Sequence, residues 1–115
     1  MALDWVQNAL KEKLGFTVYP ATLNVRPSSP QALARWEQVK LKTGAIEIVP
    51  PEQSFCCALC FPLEVSTGET ERIQGAALWP QVENYPPDKV EIVAPVNIKE
   101  SLGVRDGDSL RLEFI

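Results

Sequence analysis

From residue 44 to its end the sequence repeats one device, a short apolar run that alternates with period two, followed by residues that favour a turn. The runs are GAIEIVP (44–50), SFCCALCFPLEV (54–65), RIQGAALWP (72–80), KVEIVAP (89–95) and SLRLEFI (109–115). STGETE (66–71), the rigid proline-rich NYPPD (84–88) and the tight RDGD (105–108) lie between them. Alternation of this kind sets successive side chains on opposite faces, and turn residues between the runs favour antiparallel pairing. Many short strands with a few small helices predict a compact, mainly β barrel.

The helices are read from a different period. Leu3, Val6, Leu10 and Leu14 recur near helical spacing and Gly15 follows as a C′ residue, which predicts an amphipathic helix of about three turns. FTVYPATLNVRP (16–27) reads as an extended stretch interrupted by Pro20 and closed by Pro27. SSPQALARWEQV (28–39) supplies a second helix, with Ser29 as cap and Pro30 at the first helical position. NIKESLG (97–103) predicts a further turn or two.

A chain of 115 residues is expected to form one domain, 1–115, with a modest core that needs no disulfides. Its net charge of −4 argues against a general nucleic-acid or anionic-membrane surface. No apolar run approaches the roughly 20 residues that span a bilayer, and MALDWVQNALKEKLG is too charged for a secretory core, so a cytoplasmic protein is expected.

Cys56, Cys57 and Cys60 fall in one strand-like run, and the odd count speaks against a disulfide framework. The chain has no histidine, so a closed four-ligand zinc site cannot be built from the usual nitrogen and sulfur donors. Buried structural thiols are the expectation. Without histidine, Ser-His and Cys-His nucleophile systems are excluded, and any general base must be a carboxylate, Lys or Tyr.

Three constellations remain. In YPATLN (19–24), Thr22 and Asn24 are two residues apart, so in an extended chain they point to the same side with α-carbons roughly 6.5 Å apart. Such neutral oxygens can be ligands for Mg²⁺ when water or phosphate fills the other positions, or they can be the polar face of a strand end. Glu91, between Val90 and Ile92, lies on the face opposite those two; it either faces solvent or receives a ligand's hydroxyl and N–H groups. Asn97 can cap the helix of NIKESLG while Glu100 reaches back, an ordered N-terminal turn that, with Lys99, suits an anion.

LGFTVYPATLNVR (14–26) followed by VEIVAPVNIKESLGVRDGDSLRLEF (90–114) resembles the archaeal CTP-dependent riboflavin kinases, which pair a motif of the type LGFxPYxGTLN with EIIAPxxLRExxxLKDGD. The similarity covers roughly residues 8 to 114, with FPLEV and GAALWP falling where the family has comparable strands. It implies a six-stranded-type cradle-loop (RIFT-like) β-barrel that transfers the terminal phosphate of CTP to the 5′-hydroxyl of riboflavin, giving FMN and CDP. Thr22 and Asn24 match the family's Mg²⁺ ligands, and Glu91 matches its flavin-contacting glutamate and is the candidate catalytic base. Val96, Asn97, Ile98 and Lys99 occupy its nucleotide-contacting segment. Arg26 and Lys99 are the expected cations.

Some positions depart from that pattern. Family members carry a strand and a glycine-rich GxGEGxY stretch ahead of the first helix, whereas this sequence opens on the helix. The barrel is therefore expected to be short of one strand, and a homodimer is expected to cover the edge. Ala21 replaces the glycine of GTLN, and Glu83 stands where a flavin-contacting threonine is usual. A non-catalytic flavin- or nucleotide-binding module is the alternative reading. A third reading, duplex DNA binding, starts from RDGDSLRLEF and sits poorly with the acidic charge.

Overall fold

The computed structural model describes residues 4–19, 22–41, 46–48, 58–67 and 71–114. The expected first helix, α1, runs Asp4–Leu14, with Leu10 almost wholly buried. Lys11 and Lys13 lie in its last turn, where cations oppose the partial negative charge of the free carbonyls. Gly15 ends it at φ +84°, a left-handed conformation that glycine adopts without steric cost, and its N–H donates to the Lys11 carbonyl at 2.9 Å. Strand β1, Leu23–Val25, follows, and then α2, Pro30–Lys40. Ser29 caps α2 as its sequence predicts, Oγ accepting from the Ala32 N–H at 3.1 Å, with Pro30 opening the helix.

Five further strands and one helix complete the order. They are β2 (Ile46–Ile48), β3 (Ala58–Ser66), β4 (Arg72–Pro80), β5 (Val90–Val93), α3 (Ile98–Leu102) and β6 (Arg111–Phe114). All strand pairings are antiparallel, in the order β1-β5-β4-β3-β2, with β6 also pairing β3. β2 takes the Ala58–Cys60 end of β3 and β6 takes the Leu63–Ser66 end. One strand thus carries two partners end to end, which curls the sheet into the half-barrel of a cradle-loop fold. Six strands stand among the described residues. The start of the SFCCALCFPLEV run, with Cys56 and Cys57, lies outside them, as does Ala21.

Alternation along β3 and β4 divides the apolar side chains between the two faces of the sheet. Phe61, Leu63, Val65, Ile73 and Ala77 join Val90, Ile92 and Ile98 on one face, and α2 seats Trp36 and Val39 against them. Trp36 meets Phe61 edge-on at 5.7 Å and stacks on Phe114 at 5.9 Å, filling that side of the sheet with aromatic surface. Cys60, Ala76, Leu78 and Val93 face the other way and are covered by Leu10 of α1 together with Val18. Lys40, at the end of α2, keeps only 7% of its side chain exposed. Its ammonium lies 5.4 Å from the Trp36 ring and 5.2 Å from Trp79, and pairs with Glu37 at 2.9 Å.

Cys60 answers the expectation of a buried structural thiol, since it is fully enclosed and burial pushes the thiol up to about 12. One position is restricted by space alone. A side-chain carbon added at Gly75 would come within 2.4 Å of the Val93 carbonyl oxygen, so glycine is what allows β4 to pass so close to the end of β5.

Candidate active site

The site is built where β5 leaves the sheet. Tyr19 N–H donates to the Ala94 carbonyl at 2.7 Å, which brings the chain entering β1 alongside the chain leaving β5. β1 then pairs β5 in the register Leu23 to Ile92, Asn24 to Glu91 and Val25 to Val90. Leu23 and Val25 pack with the Trp36 core, so Asn24 is turned to the opposite face and is exposed. Glu91 shares that face, as its place between two apolar residues implied.

Beyond β5 the chain turns into α3. Asn97 caps it, its side-chain oxygen accepting from the Glu100 N–H at 3.2 Å, while its amide nitrogen donates to the Tyr19 hydroxyl at 3.5 Å. Gly103 ends α3 at φ +67° and donates to the Lys99 carbonyl. The cap and the tyrosine together fix the chain at the mouth of a cleft of about 400 Å³ lined by Tyr19, Thr22, Asn24, Val96, Asn97, Ile98, Lys99 and Asp106. The two oxygen donors of YPATLN and the whole 96–99 segment, far apart in sequence, therefore open on one hollow.

A larger cleft of about 740 Å³ shares Leu23, Asn24, Lys99 and Asp106 with the first and continues from it. Its floor is apolar, with Trp36, Leu112 and Phe114, and Arg26, Arg35 and Arg105 stand at its wall. RDGD forms the expected tight turn beside it: Asp108 N–H donates to the Arg105 carbonyl at 3.0 Å, Arg105 N–H donates to Asp108 Oδ2 at 2.8 Å, and Gly107 supplies φ +94°.

The two expected cations both have partners. Lys99 is paired with Asp106, and the hydrogen bond from its ammonium, with the charge behind it, holds the Asp106 carboxyl below the usual carboxylate range. Arg26 reaches Asp88 at 2.7 Å. Both pairs are largely exposed, and ion pairs of that kind add little to stability.

Glu91 lines neither cleft and sits one strand away, directly across from Asn24. Only 20% of its side chain is exposed, and two partners converge on Oε1: the Tyr85 hydroxyl donates at 2.8 Å and the Lys89 ammonium lies 3.4 Å away. Burial, then the hydrogen bond and charge of Glu91, push the Tyr85 phenol well above its ordinary value. Glu83 is exposed, in the turn closed by the Tyr85 N–H donating to the Val82 carbonyl at 3.3 Å, and also lines neither cleft.

Tyr85 and Lys89, which meet Glu91, are residues that the sequence reading passed over. Their signal was the aromatic and the cation bracketing Pro-Pro-Asp just ahead of a strand that carries a mid-strand acid. As donors for a metal, Thr22 and Asn24 supply two neutral oxygens and no charge. Among the described residues no group of three or more His, Cys, Asp or Glu is placed to hold an ion. That set fits a hard cation that arrives with phosphate oxygens and water, not one caged by protein carboxylates. Among the described residues no helix is long and apolar enough to cross a membrane.

Residues 1–114 match the family model CTP-dep_RFKase, described as "Domain of unknown function DUF120". A riboflavin kinase of Methanocella arvoryzae is 35% identical over 112 residues, covering 97% of this chain and 48% of that protein. One of Pyrobaculum islandicum is 30% identical over 114 residues, covering 99% of this chain and 52% of that protein. One of Methanococcoides burtonii is 31% identical over 118 residues, covering 97% and 48% respectively. The chain thus spans about half the length of the curated relatives it matches.

Proposed function

This chain belongs to the CTP-dependent riboflavin kinase family, and from that membership we propose that it transfers the terminal phosphate of CTP to the 5′-hydroxyl of riboflavin, giving FMN and CDP. A bond forms between the ribityl oxygen and the γ-phosphorus, the bond from that phosphorus to the β,γ-bridging oxygen breaks, and the hydroxyl proton passes to Glu91. The observation that carries this reading is the cleft shared by Thr22, Asn24, Asn97 and Lys99.

Phosphoryl transfer asks little covalent chemistry of a protein, and alignment with charge neutralisation does most of the work. In this reading Thr22 and Asn24 hold Mg²⁺, which when bound neutralises charge on the phosphate oxygens. Val96, Asn97, Ile98 and Lys99 hold the nucleotide, the Lys99 ammonium exchanging Asp106 for a phosphate oxygen. Glu91 accepts from the flavin's ribityl chain, and Glu83, on the turn beside it, meets the flavin's outer edge. The partners are small molecules, and the protein works in the cytoplasm.

FMN formation from riboflavin, CTP and Mg²⁺, followed by chromatography, tests the proposal. Turnover by the unsubstituted chain with loss in Thr22→Ala and Asn24→Ala is expected. Flavin fluorescence quenched without FMN from any nucleoside triphosphate would replace the kinase with a binding module.

A further inference from the structure

Glu91 is held by a built support. The chain between β4 and β5 makes two consecutive tight turns, Val82 to Tyr85 and Pro86 to Lys89, each closed by a backbone hydrogen bond of 3.3 Å. Asn84 adopts φ +65°, a conformation that asparagine tolerates better than most residues and that directs the chain into Tyr85. Pro86 and Pro87 stiffen the second turn. Asp88 then ties this loop to Arg26 at 2.7 Å, two residues beyond Asn24. The loop is anchored at once to the strand that carries Glu91 and to the segment just past the strand that carries Asn24.

What the anchored loop delivers is a pair of donors to one carboxylate oxygen. A phenol hydroxyl at 2.8 Å on an ionised acceptor belongs to the stronger, charge-assisted class of hydrogen bonds. The Lys89 ammonium, 3.4 Å from the same oxygen and 5.5 Å from the centre of the Tyr85 ring, reinforces both groups. A glutamate has three rotatable side-chain bonds, and among the described residues these two donors are the partners that hold its carboxylate in one orientation.

We propose that Tyr85 and Lys89 are positioning residues that fix the Glu91 carboxylate beside Asn24, so that its second oxygen, which has no partner among the described residues, accepts from the hydroxyl of a polyol-bearing substrate. The identity of that substrate rests on the kinase reading; the support of Glu91 does not.

Tyr85→Phe keeps the ring that Lys89 covers and removes the donor alone. It is expected to lower kcat/KM for riboflavin about tenfold while leaving KM for the nucleotide unchanged, the loss typical of a hydrogen bond to a charged group. Lys89→Gln should move the same parameter in the same direction. A second measurement is independent of turnover. In a Tyr19→Phe background, Tyr85 is the remaining phenol of the chain, and its ionisation can be followed by phenolate ultraviolet absorbance. Adding Glu91→Gln should shift that ionisation to lower pH. A phenol that titrates alike with and without Glu91, or a Tyr85→Phe chain with unaltered riboflavin kinetics, overturns the proposal. A Glu91-dependent phenol in a chain that makes no FMN removes the kinase reading and leaves the positioning contact standing.

Discussion

Asn24 stands directly across the antiparallel ladder from Glu91. Directly opposed residues on one face have β-carbons roughly 5 Å apart, close enough for their ligands to be held against each other. The strand pairing thereby joins the metal role proposed for Asn24 to the flavin role proposed for Glu91. Substituting both is expected to be less damaging than the two single effects multiplied. For Asn24→Ala, Glu91→Ala and the double variant, kcat/KM for riboflavin should show a coupling of about 1 kcal/mol or more. Strict additivity would mean that the two side chains serve unrelated events.

Gly75→Ala should destabilise the fold although it adds a single methyl group. The new carbon meets backbone at 2.4 Å, which cannot swing aside as a side chain can. Overpacking of this kind costs about 1–3 kcal/mol, and urea denaturation monitored by tryptophan fluorescence should show the midpoint fall accordingly. An unchanged midpoint would show that β4 and β5 can part without penalty.

Asn97→Ala separates the cap from the cleft. Loss of the bond to the Glu100 N–H should cost about 1 kcal/mol of stability. The same change frees the Tyr19 hydroxyl at the cleft mouth. Nucleotide affinity measured by calorimetry is expected to weaken, whereas Asn97→Asp, which can still cap, should restore the stability but not the affinity.

The Cys60 thiol gives a dependence on pH with a defined sign. Its folded value is raised to about 12 by burial, so the folded chain keeps the proton where the unfolded chain releases it. The contribution is fully present below the ordinary thiol range of about 8.5 and is lost as pH rises from there to about 12. Denaturation midpoints of the unsubstituted chain and Cys60→Ala should therefore converge as pH increases across that window. Parallel curves would contradict the assignment.

Much of this was legible in the residues themselves where the determining physics is local. Ser29-Pro30, Gly15 and the RDGD turn announce their conformations within a few positions. Period-two alternation placed Glu91 on the face away from Val90 and Ile92 before any pairing was known. The ion pairs are another matter. Nothing near Arg26 in the sequence points to Asp88, and Lys99 meets Asp106 only because α3 ends at Gly103 and the chain doubles back. Tyr85 escaped notice for the same reason, since its importance depends on a carboxylate that a loop must first bring into reach. That Glu91 lies beside the small cleft and not on its wall is likewise a result of register, which no local pattern specifies.

β1 has a single strand partner among the described residues, whereas β3 is hydrogen-bonded along both of its sides. Opening free energy varies with such anchorage, so Leu23–Val25 should exchange amide hydrogens with solvent faster than Leu63–Val65. The segment bearing Asn24 can then detach briefly while the rest of the sheet stays closed. Such a hinged rim would give a bulky product a way out without dismantling the barrel that shaped it.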